Sequence, residues 1–165
     1  MFEIFLTVLA LAIQGGGSGE TAQSEATVTA QAEETAPAAL VAEPQEPTGK
    51  FTTATEVRPI LNATKGNWIA VREFDGKDLV YVTHLWTWRC GLLEMRVGIN
   101  GAAPEIWPLP DCHMDQPMPG VVLEQDGLPY RSFDLGSVQS IDVQITYDDL
   151  GTDAVAFDRS QVLMP

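Results

Sequence analysis

The sequence VQSIDVQITYDDLGTDAVAFDR, residues 138–159, decides the fold class. In its first half every second residue is apolar, namely Ile141, Val143, Ile145 and Tyr147. A period of two places such a set on one face of a β-strand and the polar residues between them on the other. Asp148–Thr152 follows as a turn, and Val155 and Phe157 resume the alternation. The stretch therefore predicts an antiparallel hairpin with its apolar face inward.

Further strands are predicted upstream of this hairpin. Asn67–Phe74 leads through Asp75-Gly76 into Leu79–Trp88. Asp-Gly favours a hairpin because both residues tolerate the positive φ of a tight turn. Leu92–Ile99 alternates well and is followed by Asn100-Gly101, the strongest two-residue turn signal in the chain. These patterns predict a series of short antiparallel strands.

The remaining segments are less regular. An edge strand is predicted near Glu105–Leu109, where Pro108 interrupts the pattern. A brief strand is expected at Val121–Glu124 and a terminal one at Val162–Met164, whereas Thr55–Asn62 fits either a helical turn or extended chain. No stretch has a convincing amphipathic helical pattern. The prediction is an all-β fold, a small antiparallel β-sandwich or a partly open barrel of seven to eight strands.

The N-terminal third differs in composition from the rest of the chain. Met1–Ile13 is apolar but too short to span a bilayer as a helix, which predicts an export signal peptide over residues 1–22. Glu3 occupies the place of the usual basic residues, and the cleavage position stays open. Residues 23–50 are rich in Ala, Glu, Thr and Pro, a composition typical of an acidic disordered linker or tether. The β domain is predicted over residues 51–165.

Charge limits the partners of this protein. The net charge is −14, and residues 51–165 hold eight Lys and Arg against sixteen Asp and Glu. Nucleic acid and anionic lipid surfaces are poor partners because both need clustered positive charge. We expect no transmembrane span after signal removal, a periplasmic or secreted location, and a protein or cell-envelope component as partner. The sequence does not decide the oligomeric state.

The two cysteines, Cys90 and Cys112, are predicted to form a disulfide. An even number of cysteines behind an export signal is typical of oxidised pairs. A redox function is disfavoured because the chain has no C-x-x-C motif.

Three residues beside Cys112 could ligate a metal. His113, Met114 and Met118 carry the imidazole and thioether groups that suit copper, which makes a periplasmic copper-binding protein one alternative. The other interpretation is that they are loop residues next to a disulfide. His84, on an apolar face of the predicted strand, is interpreted as a structural residue.

Tryptophans supply a candidate binding surface formed by Trp86, Trp88 and Trp107. Trp86 and Trp88 fit core packing or an exposed aromatic platform. Trp107 is the one most expected to be exposed, because it lies beside prolines on the predicted edge strand.

The run THLWTWRCGLLEMRVGING at residues 83–101, together with ITYDD at 145–149, resembles short exported bacterial proteins of unknown function. The resemblance covers residues 67–165, implies a bacterial setting and carries no activity. Nucleophile-elbow, zinc-protease and phosphate-loop motifs are missing from the sequence, so no catalytic residue is predicted. The leading hypothesis is therefore a non-enzymatic binding module. A hydrolase with an unrecognised site is a further alternative, and it requires His84 or His113 beside a carboxylate in a cleft.

Overall fold

The computed structural model describes residues 38–165. Seven strands are present in this part of the chain: β1 Ala70–Phe74, β2 Lys77–Tyr81, β3 Leu92–Ile99, β4 Glu105–Ile106, β5 Tyr130–Asp134, β6 Ser140–Tyr147 and β7 Thr152–Asp158. Three α-helices accompany them: α1 Ala54–Ala63, α2 Thr83–Thr87 and α3 Arg159–Val162. Short 3-10 turns lie at Lys65–Asn67, Arg89–Gly91 and Glu124–Asp126.

The strands form two antiparallel sheets. One has three strands in the order β1-β2-β5, and the other has four in the order β4-β3-β6-β7. Buried side chains from both sheets and from α1 belong to one hydrophobic cluster. The predicted antiparallel β architecture is confirmed by these two sheets, and the helices show that "all-β" was too narrow a description.

The C-terminal hairpin follows its sequence pattern closely. Ile141, Val143, Ile145 and Tyr147 of β6 are each at most 1% exposed. β6 pairs on one side with β7 and on the other with β3, where Val143 faces Val97 and Ile145 faces Met95. Both predicted tight turns are also confirmed, since Asp75-Gly76 and Asn100-Gly101 have positive φ at both residues. Pairing of apolar side chains across β3 and β6 forms the centre of the core.

The predicted strand Leu79–Trp88 is wrong beyond Tyr81. The chain turns there into α2, with the amide of Trp86 donating to the carbonyl of Val82 at 3.0 Å. Leu85 and Trp86 are buried on this helix. A short stretch that is apolar on every side fits a buried strand or a buried helical turn equally well, so periodicity could not distinguish them.

The ambiguous segment Thr55–Asn62 lies in a helix, α1. Val57 and Leu61, four residues apart, are fully buried on its inner face. The helix begins at Ala54 because the Oδ1 atom of Asp148 accepts a hydrogen bond from the Ala54 amide at 2.8 Å. A carboxylate from the β6–β7 turn thus satisfies a helix N-terminus that no local side chain caps.

Other strand predictions need correction. β1 begins only at Ala70, and the edge strand β4 is limited to two residues. No strand forms at Val121–Glu124, while β5 was not predicted. The terminal strand Val162–Met164 is replaced by α3 and a single parallel bridge between Val71 and Leu163. Each error falls where strands are short, because a pattern of two to four residues carries little periodicity.

Part of the predicted linker packs on the domain. The amide of Glu43 donates to the carbonyl of Asp148 at 2.7 Å, and the Gln45 side chain reaches Asp148 Oδ1 at 2.7 Å. The amide of Gly49 donates to Glu56 Oε1 on α1 at 2.6 Å. Residues 43–49 therefore belong with the domain. The predicted signal peptide and the linker up to residue 37 lie outside the described residues.

None of the helices within residues 38–165 is both long and apolar enough to cross a membrane.

Candidate functional site

Cys90 and Cys112 form the predicted disulfide. Cys90 lies in the 3-10 turn that follows α2, and Cys112 lies in the long connection between β4 and β5. The bond therefore joins that connection to the start of β3, and the predicted pairing is confirmed.

Arg89, next to Cys90, is buried beneath this loop with a side chain that is 0% exposed. Its Nη1 atom donates to the carbonyls of Trp86 and Gly120, both at 2.8 Å. Nε reaches the carbonyl of Pro110 at 2.9 Å, and Nη2 reaches that of Asp111 at 2.8 Å. One guanidinium group thus ties α2 to both ends of the segment 110–121. Sequence reasoning missed this residue, although a charge between Trp88 and Cys90 in an apolar stretch was a signal.

His113 and Asp126 meet beside this arginine. His113 Nε2 lies 2.8 Å from Asp126 Oδ1, and Arg89 Nη2 lies 3.4 Å from Asp126 Oδ2. Burial by itself would raise the pKa of Asp126, but hydrogen bonds from the Leu123 amide and His113, with the charge of Arg89, bring that pKa below its usual value. Asp126 is therefore ionised, and its carboxylate links Leu123, His113 and Arg89.

The proposed copper ligands occupy different environments. His113 has one ring nitrogen committed to Asp126, whereas the side chains of Met114 and Met118 are exposed by 60% and 50%. Within residues 38–165 no three His, Cys, Asp or Glu side chains are grouped to hold a metal ion. Copper binding through His113, Met114 and Met118 stays a prediction.

The three tryptophans of the candidate surface do not lie together on the surface. Trp86 and Trp107 are 5% and 3% exposed. The prediction that Trp107 is exposed is wrong, because its ring packs against the guanidinium of Arg131 at 4.1 Å and its amide bonds to β3. Trp88 is half-buried and makes an edge contact with Phe51 at 5.3 Å between ring centroids.

A groove of about 570 Å³ runs along the disulfide, between residues 43–53 and the loop around Cys112. We call it the disulfide groove. Its apolar lining comes from Leu92, Leu93, Leu109, Pro110 and Met114. Three exposed carboxylates, Glu43, Glu46 and Asp111, also line it. None of the three forms an ion pair with a residue of the described chain from 38 to 165.

The three carboxylates give the lining of the disulfide groove a net negative charge. Arg89 also lines the groove, but its side chain is buried and its donors are directed at main-chain carbonyls. The arginine therefore presents no donors to a ligand, and its charge attracts only the carboxylate of Asp111 among the three. Sequence reasoning assigned Glu43 and Glu46 to the linker and so could not place them beside the disulfide.

His84 lies on α2 and lines a second cleft, which shares no lining residue with the disulfide groove. Its Nε2 atom is 2.8 Å from Thr64 Oγ1. In the described part of the chain no carboxylate is hydrogen-bonded to His84, whereas His113 does contact one. Asp126 lines a third cleft, of about 300 Å³, whose lining does not include His113.

Comparison of the chain with models of protein families, with curated proteins and with solved structures finds no match.

Proposed function

We propose that this chain is an exported β-sandwich module that binds a partner protein, without catalysis, through the disulfide groove. The partner segment is basic and carries apolar side chains. The observation that supports this proposal is the combination of apolar lining residues with three exposed carboxylates, at Glu43, Glu46 and Asp111, that form no ion pair within residues 38–165.

Charge complementarity selects the partner. The domain carries twice as many acidic as basic residues, so that cationic segments are attracted from a distance and anionic ones are repelled. At close range the leucines and Met114 offer apolar contact to side chains between the cationic ones. Lys and Arg suit both the apolar lining and the three carboxylates, because their aliphatic stems pack on apolar surface while their charged ends reach the carboxylates.

Rigidity of the groove wall favours binding. Arg89 holds residues 110–121, which include the disulfide-bonded Cys112, in one arrangement by donating to four of their main-chain carbonyls. A wall that is already ordered loses little conformational entropy when a partner docks. The same disulfide supports an oxidising compartment, which agrees with export to the periplasm or beyond.

Binding can be tested by capture from an envelope extract, followed by affinity measurement with each purified captured protein. The groove variant is Glu43→Gln/Glu46→Gln/Asp111→Asn. A matched variant, Glu105→Gln/Asp115→Asn/Glu124→Gln, removes the same charge from exposed positions that do not line the groove. We expect the groove variant to weaken binding at least tenfold and the matched variant to change it about twofold.

Two further measurements define the contact. Raising the salt concentration should weaken binding of the unmodified chain more steeply than binding of the groove variant, because exposed charges are screened. Leu109→Gln should weaken binding without changing the salt dependence. Equal losses in the groove and matched variants would mean that net charge, and not this groove, attracts the partner.

A hydrolase is the second candidate function, favoured by the 2.8 Å contact between His113 and Asp126. Histidine held by a carboxylate is the arrangement a general base requires. An ester and amide substrate panel assayed with the unmodified chain and with His113→Gln tests this candidate. Activity that His113→Gln abolishes and His84→Gln spares would establish it in place of the binding module.

A further inference from the structure

The cleft beside His84 combines an apolar wall with polar groups of distinct chemistry. Its volume is about 380 Å³, within the range of about 300–1,000 Å³ typical of small-ligand sites. Trp68, Ala70, Tyr81 and Met164 supply most of the apolar lining. The polar lining consists of Asn67, Arg72, Thr83 and His84.

Arg72 is the cation of this cleft and has no anionic partner in residues 38–165. Six of the nine Lys and Arg residues form ion pairs with carboxylates, whereas Lys50, Arg72 and Arg131 do not. The guanidinium of Arg72 stacks on Phe74 at 4.9 Å, which steadies its position and uses none of its N–H donors. In a strongly acidic domain, an arginine that lacks a partner carboxylate leaves donors available to an anionic ligand.

His84 presents a hydrogen-bond acceptor. Thr64 Oγ1 has a single hydrogen, which it donates to the carbonyl of Ile60 at 2.7 Å. The contact between Thr64 Oγ1 and His84 Nε2, at 2.8 Å, then requires that Nε2 carries a hydrogen and donates it. Burial lowers the pKa of His84, so the ring is neutral at pH 7 and Nδ1 keeps its lone pair. No described residue hydrogen-bonds to Nδ1.

We infer that this cleft binds the carboxylate of an N-acylated apolar amino acid, either a free small molecule or the C-terminal residue of a polypeptide. The carboxylate pairs with Arg72, the amide N–H next to it donates to His84 Nδ1, and the apolar side chain packs against the wall formed by Ala70, Tyr81 and Met164. A carboxylate alone satisfies only the arginine, and a neutral amide satisfies only the histidine. The site is separate from the disulfide groove and does not rest on the function proposed for it.

The probe for this site is N-acetyl-L-phenylalanine, titrated into the ¹⁵N-labelled full chain and followed by NMR and calorimetry. Two comparison ligands each remove one contact: N-acetyl-L-phenylalaninamide lacks the carboxylate, and phenylpropionate lacks the amide. We expect resonances of Ala70, Thr83 and His84 to move with N-acetyl-L-phenylalanine. Both comparison ligands should bind at least five times more weakly.

Variants assign the contacts. Arg72→Gln should weaken binding of N-acetyl-L-phenylalanine at least tenfold, while Arg131→Gln, the matched loss of an arginine without an ion pair, should leave it within about twofold. The Nδ1 resonance of His84 should shift as the ligand is added, a change that a purely structural histidine would not show. Equal affinity for the acid and its amide, equal losses in both arginine variants, or no binding by the folded unmodified chain would overturn the inference.

The source of the ligand is distinguished by peptides. A decapeptide ending in phenylalanine with a free carboxylate is compared with the same peptide amidated at its C-terminus. Binding of the free-acid peptide at least as tightly as N-acetyl-L-phenylalanine assigns the cleft to a polypeptide chain end. Binding of the small molecule alone assigns it to a free acyl amino acid. The groove variant serves as an independent control, because it should bind both probes like the unmodified chain.

Discussion

Two arginines of this domain, Arg89 and Arg159, find their hydrogen-bond partners in opposite ways: the side chain of Arg89 is fully buried, and that of Arg159 is 14% exposed. Arg89 makes seven hydrogen bonds, of which six are accepted by main-chain carbonyls and one, at 3.4 Å, by a carboxylate. Arg159 instead pairs closely with two carboxylates, those of Asp78 and Glu73, and with the single carbonyl of Val138. Arginine thus donates mainly to main-chain carbonyls at one site and forms ion pairs at the other.

The difference follows from the backbone around each arginine. The loop beneath which Arg89 lies has no sheet partner for its carbonyls, so a side chain with five N–H donors takes that place. Arg159 is the first residue of α3 and contacts Glu73 on β1 and Asp78 on β2, two strands whose backbones are already paired with each other. There the guanidinium adds a link between elements, and the link depends on charge. The two sites should therefore respond differently to mutation and to pH.

Replacing Arg89 by methionine should give the largest loss of stability. The substitution fills much of the volume but leaves buried carbonyls without donors and removes the cation beside Asp126. Loss of one partner from such a network costs about 3–5 kcal/mol. Urea denaturation followed by circular dichroism measures the change in the free energy of unfolding. Arg72→Met is the control and should change it by less than about 0.5 kcal/mol. A loss under about 1 kcal/mol for Arg89→Met would show that water replaces the arginine.

Removing the disulfide should give the next largest effect. The bond closes a loop with a sequence separation of 22, and loop-closure entropy predicts a loss of about 3 kcal/mol for Cys90→Ala/Cys112→Ala. Because this term acts on the unfolded chain and Arg89 acts on the folded one, the two losses should add. A double-mutant cycle in urea tests that additivity. A coupling larger than about 1 kcal/mol would mean that the bond also positions the loop carbonyls around Arg89.

Sequence patterns could predict the buried face of β6 but not the partners of Arg89. The alternation in β6 was sufficient to predict which of its side chains are buried, because each apolar residue, such as Ile141 or Val143, indicates the inward face by itself. The partners of Arg89 could not be predicted from sequence patterns, since they are carbonyls of Trp86, Pro110 and Gly120, and carbonyls are the same at every residue. Side-chain identity carries no information about which backbone groups need donors.

Candidate binding surfaces were predictable only in part. The pairing of Cys90 with Cys112 followed from the number of cysteines and from the predicted export signal. Trp107 was expected to be exposed because prolines flank it, yet prolines restrict only the backbone and leave the ring free to pack under Arg131. The carboxylates of the disulfide groove come from segments about 65 residues apart, and no sequence pattern indicates the hydrogen bonds that tie residues 43–49 to Asp148 and to α1.

Acid titration should reveal the charge dependence of the Arg159 site. The hydrogen bonds from Arg159 are the largest cause that lowers the pKa of Asp78 from 3.8 to about 2. A lowered pKa in the folded state contributes stability that is present above pH 4 and is lost as the pH falls towards 2, here about 2 kcal/mol. Comparing the unmodified chain with Asp78→Asn between pH 5 and pH 2 isolates this contribution, because the other carboxylates titrate in both. Parallel curves would contradict the shift.

The smallest effect is expected at the outer half of the same site. Glu73 is 52% exposed, so its contact with Arg159 is screened by solvent, whereas the side chain of Asp78 is 0% exposed. Exposed ion pairs contribute about 0–1 kcal/mol, and Glu73→Gln should therefore lower the free energy of unfolding by less than about 0.5 kcal/mol. Asp78→Asn, measured in the same urea experiment at pH 7, should cost several times more because it removes the fully buried carboxylate that Arg159 contacts through two of its nitrogens. Similar losses in the two variants would contradict the larger contribution to stability that is assigned here to the buried carboxylate of Asp78.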